Sequence, residues 1–119
     1  MKKLIIAAFM FVSTFTSNVF ADGHAIKMGI ILGFTGPIES LTPAMAASAE
    51  LAFKEASDSG SLLGGKKIEV VRADSTCVDA AAAQAAAEGV ISQGVVAIMG
   101  ADCSGVTTAI ASNVAVPNG

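Results

Sequence analysis

From Ala25 onward, two kinds of run alternate along the chain. Ala25–Leu32 (AIKMGIIL), Lys67–Ala73 (KIEVVRA) and Val95–Met99 (VVAIM) are short and apolar, and rich in β-branched residues. That pattern predicts strands of a buried, parallel sheet. Between them lie segments with helical periodicity. From Pro43 to about Ser59, Met45, Ala49, Ala52, Phe53 and Ala56 share one face, which is expected to be the buried one. Glu50, Lys54, Ser57 and Asp58 fall on the other side, with Glu50 and Lys54 spaced as an i,i+4 ion pair. Thr42-Pro43 reads as an N-cap followed by proline in the first turn, and Gly60 reads as the stop.

Asp79 reads as the N-cap of a second helix, from Ala80 to about Gln93, with Gly94 after it. Its alanines would let the helix lie close against a sheet. Ser104 reads as the cap of a third helix reaching about Val114, and Val116-Pro117-Asn118-Gly119 as the approach to another strand. The order is βαβαβα. The expected fold class is α/β, a partial doubly wound parallel sheet with right-handed crossovers. A sheet of three strands is thin, and the chain reads as the N-terminal piece of a longer protein.

Residues 1–21 break this alternation. Met1-Lys2-Lys3 is a short positive start, Leu4–Val12 is uncharged and apolar, and a more polar stretch ends Val19-Phe20-Ala21. Small residues at −3 and −1 predict a signal peptide cleaved between Ala21 and Asp22. The apolar run is far below the roughly 20 residues that span a bilayer. The mature domain is therefore expected over residues 22–119. No cysteine follows the cleavage point, which disfavours a lipoprotein.

Composition narrows the function classes. The 119 residues carry 7 basic and 10 acidic side chains, and Lys2 and Lys3 would leave with the leader. Lys66-Lys67 is then the only basic pair, where a nucleic-acid binder needs a basic face. There is no Trp or Tyr, and only Phe34 and Phe53 remain outside the leader, a poor platform for stacking bases. Cys77 and Cys103 are the only cysteines. An even count in an exported chain reads as one disulfide, with two free buried thiols as the alternative. Their spacing and the lack of further ligands give no zinc site, and no cofactor is implied.

Catalytic and nucleotide motifs are absent or misplaced. Gly60–Lys67 (GSLLGGKK) nearly spells a Walker A loop, but it lacks the final Ser/Thr, follows a helix and opens a strand. Gly29, Gly33 and Gly36 do not have dinucleotide spacing. His24 is the only histidine and lies near the new N-terminus. The sequence around Ser104 (GADCSG) does not match GxSxG. The remaining signal is the strand-to-helix turn at Ser104-Gly105. In open α/β sheets, ligands bind beyond the carboxyl ends of the strands, and a helix start there offers free N–H groups to an anion. Ser104 would add a hydroxyl, and Gly105 would allow close approach. The alternative is that Ser104 only caps its own helix. Thr107, one turn further in, reads as a bystander.

Five segments together, in order, carry a resemblance: Ile26-Lys27-Met28-Gly29, Gly33-Phe34-Thr35-Gly36-Pro37, Gly64–Val71, Cys77 with the helix after it, and Gly100-Ala101-Asp102-Cys103-Ser104. The chain resembles the leucine/isoleucine/valine-binding branch of the type I periplasmic substrate-binding proteins, which deliver amino acids to ABC importers. The resemblance implies a periplasmic, non-catalytic protein and the first part of lobe one of a two-lobe fold that closes on its ligand. It implies a Cys77–Cys103 disulfide, and a ligand carboxylate held by the hydroxyl and amide of Ser104. The expected ligand-binding residues are Ser104, Gly105, Leu41, Asp102 and Cys103, with Leu41 touching the ligand side chain. The implied partners are a small amino-acid ligand and an ABC importer permease in the inner membrane. Leu41 stands where some members have tyrosine. Asp102 stands where a leucine can line the pocket, which argues against a purely aliphatic specificity. A sensory ectodomain of the same fold is the alternative reading. If the strand order is 2-1-3, the loops after the first and third strands face each other across the crevice.

Overall fold

The computed structural model describes residues 25–119. The leader expected over residues 1–21, its cleavage point after Ala21, and His24 lie outside the described residues. Strand β1 (Ile26–Leu32) leads to helix α1 (Thr42–Asp58), strand β2 (Ile68–Asp74) and helix α2 (Ala80–Ser92). Strand β3 (Val95–Gly100) and helix α3 (Ser104–Ile110) follow. The fold is α/β, and the three strands form one parallel sheet in the order β2-β1-β3.

The sequence explains which strand is central. β1 ends in the apolar run Met28–Leu32, and its Ile30 and Ile31 are fully buried. β2 exposes Glu69 and Arg72, and β3 exposes Val96 and Ala97, as flanking strands can. Alternation along β1 divides the core between two layers. Ile31 packs with Ala83, Ala87 and Val90 of α2 and with Val106 and Ile110 of α3. Ile30 and Leu32 pack on the opposite face with Ala46 of α1, beside Phe34, Phe53, Val70 and Met99. Each buried Ile contributes about 1.5–3 kcal/mol of hydrophobic stabilisation. The small side chains of Ala83 and Ala87 bring α2 close to the sheet.

Local chemistry sets the ends of α2. The Asp79 carboxylate accepts hydrogen bonds from the amides of Ala81 at 2.8 Å and Ala82 at 3.0 Å, as its N-cap position predicts. At the other end, the Lys27 ammonium donates to the Gln93 carbonyl at 2.9 Å. The Gly60–Lys67 run is a helix-to-strand turn. It holds a 3-10 turn at Leu62–Gly64, and Gly65 takes φ +82°, a left-handed value that glycine permits at little cost.

The structure corrects several expectations. Thr42 is not the N-cap of α1; Leu41 is, and Thr42 is the first helical residue. The Thr42 hydroxyl is buried and donates to the Gly33 carbonyl at 3.1 Å, so it serves the neighbouring loop and not its own helix end. The buried stripe of α1 runs through Thr42, Ala46 and Ser57, with Ala49 and Phe53 packed beside it. Met45 and Ala52 are exposed, because the stripe includes two small polar residues that a hydrophobicity pattern misses. Glu50 does not pair with Lys54. Glu50 instead accepts a two-pronged hydrogen bond from Arg72 of β2, at 2.5 and 2.7 Å, and Lys54 pairs with Asp58. Arg72 also lies over the Phe34 ring, 5.5 Å from its centroid. Finally, α3 passes through a π-helical turn at Ala111–Ala115 into helix α4 (Val116–Asn118). Val116-Pro117-Asn118 is helical, not an approach to a strand. Pro117 lies in the first turn of α4, where its missing N–H matters least.

Candidate functional site

The carboxyl ends of all three strands point to one edge of the sheet, and their loops are cross-linked there. Cys77, after β2, is disulfide-bonded to Cys103, after β3, with their Cα atoms 5.2 Å apart. Thr76 and Cys77 take φ +57° and +69°, a backbone shape that turns the β2–α2 loop sharply. The Asp74 carboxylate accepts from the Thr35 hydroxyl at 2.6 Å and from the Thr76 amide at 2.8 Å. This joins the loops after β1 and β2. Burial pushes the Asp74 carboxyl up, but the bonds from Thr35 and Thr76 outweigh it and hold it below the ordinary 3.8.

Beside this cross-linked edge lies an open groove of about 470 Å³, lined by Ala101, Asp102, Ser104, Thr107, Thr108, Ala111 and Ser112. It runs along one side of α3, from the β3–α3 turn at Ala101 and Asp102 to Ala111 and Ser112. Ser104 is exposed and is the first residue of the helix. The N-cap position belongs to Cys103, whose side chain makes no capping bond because its sulfur is held in the disulfide. The expectation that Ser104 caps α3 is therefore corrected. The first amides of α3 receive no side-chain cap and are available to water or to an anion. The Thr107 hydroxyl is not a bystander. It donates within 2.9 Å of both the Ala101 and Cys103 carbonyls and so braces the β3–α3 turn.

The expected site residues separate into two groups. Ser104 and Asp102 line the groove, and Cys103 lies between them in the chain as the disulfide partner. Gly105 is exposed on the next helical position but does not line the groove. Leu41 is 60% exposed at the N-cap of α1 and lies outside the groove lining. The Asp102 carboxylate turns toward the neighbouring strand ends: it accepts from the Gly33 amide at 2.8 Å and, at the longer distance of 3.5 Å, from the Ser75 hydroxyl. The sequence marks Thr42 only as a helix cap and gives Ser75 no role, since nothing local marks a buried hydroxyl that serves a distant loop.

Among the described residues, no cluster of three or more His, Cys, Asp or Glu could hold a metal ion. No described helix is long and apolar enough to cross a membrane. A second, smaller groove of about 200 Å³ runs past β3, with Ile91, Val95 to Ile98, Ala115 and Asn118 along it. It is mostly apolar and carries no group with acid–base chemistry.

The arrangement can hold a small molecule with an anionic end. The hydroxyl-bearing residues Ser104, Thr107, Thr108 and Ser112 line the groove, and Asp102 is the only ionisable side chain among its lining residues. The family model described as periplasmic binding protein matches residues 25–118, spanning every strand and helix above. No curated protein matches the chain.

Proposed function

The chain belongs to the periplasmic binding protein family, a family of binding proteins and not of enzymes, and we propose that it is the substrate-binding component of an ABC importer for branched-chain or related amino acids. The family match over residues 25–118 carries the reading, and it supports a small-molecule ligand and a periplasmic location. The groove at the strand carboxyl ends is where a parallel sheet of this kind receives a ligand. In this reading the α-carboxylate of the amino acid rests on the Ser104 hydroxyl and on the amides of Ser104 and Gly105. Its side chain extends toward the loop after β1, where Leu41 is exposed. Export through a leader cleaved after Ala21, and docking to an inner-membrane permease, belong to the same proposal.

The test is equilibrium dialysis of the protein against radiolabelled L-leucine, with unlabelled amino acids as competitors. Retention of leucine, displaced by isoleucine and valine and not by sugars, is the expected result. No retention of leucine and no displacement by any amino acid would remove the branched-chain reading. A leucine binder that does not stimulate uptake by any permease would point to a sensory ectodomain instead.

A further inference from the structure

Among the residues lining the groove, Asp102 is the only one with a charged side chain, yet its carboxylate is already engaged. One oxygen accepts from the Gly33 amide at 2.8 Å, and the other faces the Ser75 hydroxyl at 3.5 Å. Gly33 is buried, and its carbonyl accepts from the Thr42 hydroxyl at 3.1 Å. The Ser75 amide donates to the Leu32 carbonyl at 2.9 Å, and Ser75 is fully buried. This one carboxylate therefore joins the loops after β1, β2 and β3. Through a single residue, Gly33, it also reaches the first residue of α1.

Ser104 lies two residues beyond Asp102, with Cys103 between them. The disulfide fixes Cys103 to the loop after β2. It reaches the loop after β1 only indirectly, through the Asp74–Thr35 bond. The bond from Gly33 to Asp102 reaches that loop directly. Without it, the buried Gly33 amide has no acceptor, and the β3–α3 turn loses its direct hydrogen bond to the loop after β1. A carboxylate left unengaged in the groove would also repel a ligand carboxylate. The two donors that hold Asp102 spread its charge away from Ser104.

We infer that Asp102 is a positioning residue for ligand binding, one that sets the Ser104 loop against the Gly33–Leu41 loop and does not itself touch the ligand. This rests on the groove being the binding site, as proposed above. Asparagine separates position from charge. It keeps an oxygen for the Gly33 amide, and its NH₂ can donate to the Ser75 hydroxyl, but it carries no charge.

The test compares D102A and D102N in two measurements. The first is the ¹H–¹⁵N spectrum with amide exchange. In D102A the Gly33 amide is expected to lose its carboxylate-bonded downfield shift and to exchange at least about tenfold faster, and the Ser104 and Gly105 signals are expected to move; in D102N the Ser104 and Gly105 signals stay near their wild-type positions. The second is L-leucine affinity, expected to fall at least about tenfold in D102A and less than about threefold in D102N. Equal losses in D102A and D102N would show that the charge itself meets the ligand. Ser104 and Gly105 signals that stay in place in D102A would make Asp102 a purely local link. Either result overturns the inference. If wild-type protein binds no leucine, the branched-chain reading fails, and the Ser104 and Gly105 signals still decide the role of Asp102.

Discussion

Cys77 and Cys103 have their Cα atoms 5.2 Å apart, although the strands that deliver them flank β1 on opposite sides. Two strands separated by a third lie roughly 9–10 Å apart. The loops after β2 and β3 must therefore lean toward each other over the end of β1. The positive φ angles of Thr76 and Cys77 make this possible on one side. The result is a closed strap across the sheet edge, with the start of α3 and its groove held directly beside it.

That strap is expected to stabilise the protein. The bond closes a sequence separation of 26 residues, which on the chain-entropy account contributes about 3–4 kcal/mol. Replacing both cysteines by serine should lower the urea midpoint, followed by far-UV circular dichroism because the chain has no Trp or Tyr. An unchanged midpoint would mean that the strap constrains little.

Two glycine substitutions should act with opposite signs. Gly36 has φ +100°, and a Cβ placed on it would lie 2.5 Å from the Thr76 carbonyl oxygen, a backbone atom that cannot move aside cheaply. Gly36→Ala should cost about 1–3 kcal/mol or more. Gly89 lies inside α2 with nothing within 4 Å of its would-be Cβ. Gly89→Ala should stabilise by about 0.4–1 kcal/mol. Thermal melts of the two variants against wild type would check both signs.

Acid should weaken the tie between the loops after β1 and β2. The Asp74 carboxyl is held below its ordinary 3.8 in the folded protein. A depressed folded value means that the contribution is fully present above the unfolded pKa and is lost as pH falls through the folded one. Stability should therefore decline below about pH 4. Asp74→Asn should lower stability at pH 7 and flatten part of that acid decline. A pH–stability curve with the same acid slope in both proteins would contradict the assignment.

Much of this architecture was legible in the residues. The three apolar runs, the Asp79 cap and the glycine-rich return to β2 are local signals, and the structure places each within about a residue of its expected bounds. From sequence the order 2-1-3 is only a condition, and the sheet has that order; the Cys77–Cys103 bond, expected from the even cysteine count and from the family resemblance, is present. The errors outside the C-terminal tail share one cause. Thr42 and Thr107 are small polar residues whose hydroxyls serve backbone carbonyls in another loop or across a turn, and the Ser75 hydroxyl faces the Asp102 carboxylate in the loop after β3. Glu50 reached past its helical neighbour Lys54 to Arg72 on a strand. Such partners are set by tertiary placement, and sequence spacing cannot reveal them. The tail misled for a different reason: Val116-Pro117-Asn118-Gly119 reads as the approach to a strand, but Pro117 falls where a new helical turn begins.

The most direct test of the account is calorimetry of L-leucine with wild-type protein and with Ser104→Ala. Ser92→Ala is the control, since that hydroxyl only bonds the Gly89 carbonyl within α2. A hydrogen bond to a charged group is worth about 1.5–3 kcal/mol, so Ser104→Ala should bind leucine roughly 10- to 150-fold more weakly, while Ser92→Ala binds as wild type does. The neighbouring amides remain, so binding should not vanish. Equal leucine affinities for wild type and Ser104→Ala would contradict the account and leave the groove at the start of α3 without a role in binding.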